Sequence, residues 1–194
     1  MHRSDPRAVR ASGEQQALPF VLMRGGTSKA VFLSGRDLPP PGEARDRVIL
    51  EVFGSPDPRQ VDGLGGADIL TSKLAIIDPP SVPDADLDFT FGQVSITEPV
   101  VDYDINCGNI SAAVGAFAVD EGLVDLREPV TLVRIHNTNT GRILVARVPV
   151  CDGAAAVFGE LRIDGVPGTG APIALDYSRT AGGWQPPTSI SWRA

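Results

Sequence analysis

A cysteine and a lysine are the residues whose surroundings in this chain best suit chemistry. Cys107 lies in the run Asn106-Cys107-Gly108-Asn109, immediately before an apolar stretch. The first turn of a helix directs free N–H groups and the positive end of its dipole at whatever lies there. An anionic ligand is therefore expected beside Cys107, and the same field favours the thiolate form of a cysteine. The alternative is that Cys107 is only a packed core residue.

Lys73 is the second candidate, because it falls on a strand that is otherwise apolar. In the strand predicted for residues 71–77, Lys73, Ala75 and Ile77 would face the same side. A charge on such a face calls for a partner or a function. The alternative is an edge-strand lysine whose ammonium group reaches water.

Two glycine-rich turns add groups that could hold an anion. The run Arg24-Gly25-Gly26-Thr27-Ser28-Lys29 offers backbone N–H groups and two hydroxyls beside two cations. Its spacing is not that of a P-loop, and a plain hairpin with solvated charges is the alternative. A second such turn spans residues 61–68. Residues 136–140 are polar enough to bind a ligand, but the pattern there favours the tip of a β-hairpin.

The elements that must position these residues follow from periodicity. Apolar residues at spacings of three and four predict a buried helix over residues 106–124, capped by Asn106 or Asn109 and ended by Gly122. An amphipathic helix is predicted over residues 43–53. The predicted strands cover residues 18–23, 30–33, 71–77, 87–97, 130–135, 143–150 and 155–163, with a bulge at Gly92. This order predicts an α+β fold whose sheet curls around the central apolar helix.

Composition excludes several classes of partner. The 194 residues carry a net charge of −7 and no cluster of Lys or Arg, so neither nucleic acid nor an anionic membrane surface is an expected partner. No apolar run approaches the ~18 residues of a membrane span, and residues 1–16 are polar, which together predict a cytoplasmic protein. Cys107 and Cys151 lack metal-ligand spacing, so reduced thiols and no metal site are expected.

Five segments, taken in order, resemble the PrpF family. They are residues 23–29, 62–67, 71–73, 106–111 and 135–140. That family includes aconitate isomerases and 4-oxalomesaconate tautomerases, and it shares the diaminopimelate epimerase fold with its mostly antiparallel sheet. The resemblance implies a cofactor-independent proton transfer that shifts a double bond in an unsaturated tricarboxylate-like acid.

The resemblance also implies which residues form the site. Lys73 and Cys107 would be catalytic, with the base and the acid not assigned between them. The residues expected near the substrate are Arg24, Gly25, Thr27, Ser28, Ser72, Asn106, Gly108 and Asn109.

Members of this family have two similar halves that close over the substrate, and the resemblance here covers about one half. The predicted organisation is a loose leader over residues 1–17, a PrpF-like N-terminal domain over residues 18–175 and an irregular tail over residues 176–194. This indicates a truncated or frame-altered two-domain protein, or a half-length protein that pairs with another chain.

Two hypotheses follow. In the first, the chain is half of an isomerase for a small di- or tricarboxylate, inactive or weak by itself, and it self-associates or pairs with a second half. In the second, it is a non-catalytic carboxylate-binding or assembly module that retains the fold.

Overall fold

One curled sheet wrapped around a helix forms the part of the chain that the computed structural model describes, residues 16–178. The helices are α1 (Glu43–Phe53) and α2 (Gly108–Asp120), and a 3-10 turn spans Gly35–Asp37. The strands are β1 (Val21–Gly25), β2 (Ser28–Ser34), β3 (Lys73–Asp78), β4 (Leu87–Val94), β5 (Val101–Asp102), β6 (Val130–Asn137), β7 (Arg142–Cys151), β8 (Ala154–Ala155) and β9 (Ala174–Asp176).

The sheet runs in the order β1-β2-β3-β4-β6-β7-β8, with β5 paired to β4 and β9 paired to β7. Only β2–β3 and β4–β6 pair in parallel among these strands. Parallel neighbours need a long crossover, and the two helices lie in those two connections. The predicted α+β fold with a mostly antiparallel sheet is confirmed.

Helix α2 is the centre of the fold. Every residue from Ile110 to Val119 is buried, and the helix packs against both ends of the sheet order. Gly115 allows a close approach to β7, because a Cβ atom there would lie 2.7 Å from Ala146 Cβ and 2.9 Å from Val148 Cγ2. A mostly apolar helix of this kind is stable only when its apolar surface is covered, which explains why the sheet curls.

The ends of α2 match the prediction at one terminus and differ at the other. Gly122 takes the left-handed conformation (φ 65°) just past the helix, as predicted. The predicted asparagine cap is wrong: Cys107 occupies the N-cap position, and no side chain caps the helix. Both asparagines are otherwise engaged, since Asn109 donates to Thr27 and Ser28, and Asn106 accepts from Asn137.

Helix α1 covers the opposite face of the sheet. It begins and ends where the periodicity predicts, and Gly54 (φ 69°) terminates it in the left-handed conformation. Ile49 and Phe53 are fully buried against Leu74 and Ile76 of β3. The residues of β3 therefore alternate between two cores, one shared with α1 and one shared with α2.

Two strand predictions are wrong. Gly92 forms no bulge but pairs in register with Leu74, and a side chain there would crowd Val101 and Leu74. Residues 155–163 do not form a long strand beyond β8. Val157 and Phe158 are 73% and 95% exposed, so their apolar side chains face no sheet.

The predicted leader and tail lie mostly outside the described residues. Residues 1–15 and 179–194 are not described. Before residue 179, Asp176 belongs to β9 and Tyr177 packs against the α2 core, both beyond the predicted boundary at residue 175. Within residues 16–178, neither helix has the length and apolar character needed to cross a membrane.

Candidate active site

The turn between β1 and β2 is held against the start of α2. A Cβ atom at Gly25 would overlap the backbone oxygen of Asn109, and one at Gly26 would overlap its side chain. Asn109 Nδ2 donates to Thr27 Oγ1 at 3.0 Å and to Ser28 Oγ at 3.3 Å. The glycine turn therefore serves close backbone approach, and it brings its hydroxyls to the end of the helix where N–H groups are free.

Lys73 faces the same side of the sheet as α2. It shares that side with Ala75 and Ile77, which belong to the core around the helix. Its Nζ lies 5.3 Å from the centre of the Phe91 ring and donates to Gln93 Oε1 at 2.7 Å. Lys73 is only 7% exposed, so its ammonium group does not simply extend into water. The edge-strand alternative does not describe this environment.

Ser72 faces the other side. Its hydroxyl is fully buried and donates to Gln60 Oε1 at 2.7 Å. Gln60 Oε1 also accepts from Ala67 N, and Gln60 Nε2 donates to Ser55 Oγ. The structure thus places the Ser72 side chain in a polar network beneath the second glycine-rich turn. It does not bring that hydroxyl to the side of the sheet that holds Lys73.

Cys107 is half-buried at the N-cap of α2 and packs against the core that includes Phe91. Its carbonyl oxygen accepts from both the backbone N and the Oγ of Ser111, at 3.0 and 3.1 Å. Lys73 and Cys107 therefore lie on the same side of the sheet. Gly108 stands next to Cys107 with open space, because a Cβ atom there would meet only Tyr177, at 3.6 Å from the hydroxyl oxygen.

Tyr177 is a neighbour of Cys107 that the sequence did not reveal. Burial raises the pKa of its hydroxyl above the ordinary value, a hydrogen bond with Ser111 lowers it, and negative charge on Cys107 raises it further. The hydroxyl oxygen lies 3.6 Å from where a Cβ atom would stand on Gly108, so the phenol is close to the residue that follows Cys107. No periodicity marked Tyr177, because it follows a three-residue strand that pairs with β7.

Asn106 marks the other edge of the site. It is exposed, and its Oδ1 accepts from Asn137 Nδ2 at 3.2 Å. Asn139 bonds both the N–H and the carbonyl of Phe91 and also the carbonyl of Tyr103. The polar run at residues 136–140 is thus a hairpin tip, as predicted. Its asparagines also form hydrogen bonds with Tyr103 and Asn106, in the segment that leads into α2.

The side chain of Arg24, another predicted site residue, forms its hydrogen bond within the turn between β1 and β2. Its Nη1 donates to the carbonyl of Gly26 at 2.7 Å. It lines a cavity of about 130 Å³ between β1, the alanines of α2 and residues 156–173. Among the described residues, Arg24 makes no hydrogen bond with Lys73 or Cys107.

These groups define what the site can do. An amine and a thiol lie on one side of the sheet, and the thiol stands at a helix start that suits carboxylate groups. Such a pair can add and remove protons next to a negatively charged reactant. The described residues contain no group of three or more His, Cys, Asp or Glu side chains placed to hold a metal ion.

The profile of the PrpF protein family matches residues 15–188. The 3-methylitaconate isomerase of Eubacterium barkeri is 63% identical over 169 residues, covering 87% of this chain and 44% of that protein. The 4-oxalomesaconate tautomerase of Pseudomonas putida is 53% identical, covering 87% and 46%.

A solved structure gives the same result for the fold. The crystal structure of methylitaconate-delta-isomerase superposes with a TM-score of 0.83 at 64% identity, covering 85% of this chain and 43% of that one. The chain spans about half the length of the curated relatives it matches.

Proposed function

Because the chain belongs to the PrpF protein family, we propose that it forms one half of an isomerase site for a short unsaturated di- or tricarboxylate, of the aconitate or oxalomesaconate type. The relatives named as isomerase and tautomerase favour this over a binding module that only retains the fold. The observation that carries the proposal is that a buried lysine and a half-buried cysteine share one side of the sheet, with the cysteine at the N-cap of α2.

The reaction would be a proton shift that neither oxidises nor reduces the acid. A C–H bond breaks at the saturated carbon beside the double bond, and its electron pair forms the new C=C bond. The pair of the old C=C bond moves to its far carbon, which takes up a proton. Lys73 and Cys107 together supply the base and the acid, and no cofactor is required.

Negative charge that develops in this reaction needs donors fixed in advance. We assign this task to the backbone N–H groups of Gly108 and Asn109 at the helix start, with the hydroxyls of Thr27 and Ser28 beside them. Asn109 is suited to keep those hydroxyls in place, because its amide donates to both. Ser72 is assigned to the support of β3 and not to the substrate, since its hydroxyl is taken by Gln60.

A second half is part of the proposal. Ile69, Leu70 and Ile105 are 65%, 42% and 44% exposed. They adjoin the site, because the carbonyl of Ile69 accepts from Gln93 and Ile105 lies two residues before Cys107. Apolar groups around an anion site are expected to be covered when it works. The cover would be a partner half, or a second copy of this chain, in a cytoplasmic protein.

Hydrogen exchange tests the proposal directly. The chain is incubated in deuterated water with aconitate, oxalomesaconate or 3-methylitaconate, and exchange of the substrate C–H protons is followed by NMR. Sedimentation of the same sample gives the mass of the protein and hence its oligomeric state. We expect weak exchange above buffer, since one wall is missing. Lys73→Gln and Cys107→Ser should abolish it, whereas the matched variant Cys151→Ser should retain it. A chain that binds these acids without any exchange would favour the binding module.

A further inference from the structure

The charge of Lys73 is held by a neutral group. Within residues 16–178, no carboxylate lies at ion-pair distance from its Nζ. The hydrogen bond that fixes Nζ runs to the amide oxygen of Gln93, 2.7 Å away, while the ring of Phe91 covers it from one side. A lysine this deeply placed would ordinarily pair with an acidic side chain.

The amide of Gln93 has only one orientation that satisfies its neighbours. Its Nε2 donates to the carbonyl of Ser72 at 2.8 Å and to the carbonyl of Ile69 at 3.2 Å. The opposite orientation would set the amide oxygen against two carbonyl oxygens and the amide N–H groups against an ammonium. The oxygen is therefore directed at Lys73 by backbone groups, before any ligand arrives.

The sheet holds this amide in register with the lysine. Gln93 is the direct cross-strand partner of Lys73 in the antiparallel pair of β3 and β4. The next residue, Val94, donates its N–H to the carbonyl of Ser72, the same oxygen that Gln93 Nε2 contacts. A shift of Gln93 would thus require a local break in the ladder.

We propose that Gln93 is a positioning residue for Lys73, which fixes Nζ at one place while adding no negative charge beside it. A glutamate there would favour the ammonium form by a full charge, whereas an amide oxygen offers only a dipole. The partner of Nζ is thus an amide oxygen, with no carboxylate beside it. The catalytic meaning of this inference rests on the proposed function, but the positioning itself does not.

The chain is well suited to a direct test, because lysine occurs only at positions 29 and 73. Trace acetylation of the purified chain with acetic anhydride, followed across pH and read by peptide mass spectrometry, gives each amine its own reactivity profile. Lys29 serves as the internal control. The variants are Gln93→Glu, which keeps the shape and adds a charge, and Gln93→Met, which keeps the length and removes the acceptor.

In Gln93→Glu, the midpoint of the Lys73 profile should move up by about one pH unit, so that labelling at neutral pH falls about tenfold, because an adjacent opposite charge favours the ammonium. In Gln93→Met, the acetylation rate of Lys73 on its high-pH plateau should change by about twofold or more, because Nζ loses its hydrogen-bond acceptor and its fixed position. The Lys29 profile should stay unchanged in both. An unaltered Lys73 profile in Gln93→Glu overturns the proposal; should that variant fail to fold, an unaltered plateau in Gln93→Met does so.

The labelling arm needs no substrate, so its outcome is separate from that of the exchange assay. Altered labelling without any exchange by the unsubstituted chain would leave the positioning role intact and count against proton transfer by this half alone. If exchange is present, its pH profile in Gln93→Glu should move upward with that of Lys73. A merely structural role for Gln93 would lower exchange equally at every pH, and that result counts against the proposal.

Discussion

The two sides of the candidate site are built in different ways. On the Lys73 side, hydrogen bonds between side chains and backbone fix almost every polar group: Lys73 to Gln93, Gln93 to Ser72 and Ile69, and Ser72 to Gln60. On the Cys107 side, no side chain caps the helix, and the backbone at the start of α2 sets the position of the thiol.

This difference predicts which substitutions will displace the Lys73 amine and which will displace the Cys107 thiol. Lys73 has a long, flexible side chain, and such a chain needs partners along its length to hold one position. Cys107 has a short side chain, so the position of its sulfur follows that of the helix start. Polar substitutions should therefore affect the Lys73 side, and steric substitutions that move the helix should affect the Cys107 side.

The largest effect is expected where the hairpin meets the helix. Gly25→Ala would place a methyl group on the backbone oxygen of Asn109, which cannot rotate away. Overpacking of this kind should cost about 3 kcal/mol of unfolding free energy, measured by urea denaturation. Gly108→Ala is the matched control, because its added carbon meets only Tyr177 at 3.6 Å. Equal stability of the two variants would contradict the expected steric sensitivity of the Cys107 side, since the helix start would then tolerate displacement.

A smaller effect is expected from the polar network under Lys73. Gln60→Met removes the partner of Ser55, Ala67 and Ser72 and leaves buried groups unsatisfied, which should cost about 2 kcal/mol. Ser72→Ala removes one donor and its own polar group, so about 1 kcal/mol is expected. Thermal or denaturant unfolding of both variants measures the difference. If Gln60→Met were the milder change, the network would not be what supports β3.

The smallest effect concerns the charge at Cys107. The chain has two tyrosines, so the Tyr103→Phe variant reports Tyr177 alone through the ultraviolet absorbance of tyrosinate. Its midpoint should lie above the ordinary ~10, because burial raises the pKa of Tyr177. Adding Cys107→Ser should lower the midpoint, since negative charge on Cys107 contributes to the rise. Adding Cys151→Ser should leave it unchanged.

The sign of the accompanying stability change follows from linkage. The folded chain holds the Tyr177 proton to higher pH than the unfolded chain does, so this contribution to stability is complete below about pH 10 and declines as pH rises through the folded pKa. Tyr177→Phe should therefore flatten the alkaline fall in unfolding free energy. A fall that is equally steep in Tyr177→Phe would place its origin elsewhere.

The features that could be predicted from the amino-acid sequence are those that depend on neighbours along the chain. The bounds of α1, the burial of α2, the left-handed glycine after each helix and the hairpin tip at residues 136–140 follow from local periodicity and turn chemistry. The site predictions at Lys73 and Cys107 began from local anomalies of the same kind, a charge on an apolar strand and a thiol at a helix start. Their catalytic roles stay predictions.

The groups that surround those two residues could not be predicted, because they come together only in the packed fold. Lys73 and Gln93 are twenty residues apart and meet because β3 and β4 pair in one register, and a slip of one residue would turn Gln93 to the other face. Ser72 was expected at the substrate, but its hydroxyl, on the residue just before β3, donates to Gln60. Tyr177 reaches Cys107 through the pairing of β9 with β7. Strand register and the choice of hydrogen-bond partner depend on residues that are distant in sequence, so no local pattern could predict them.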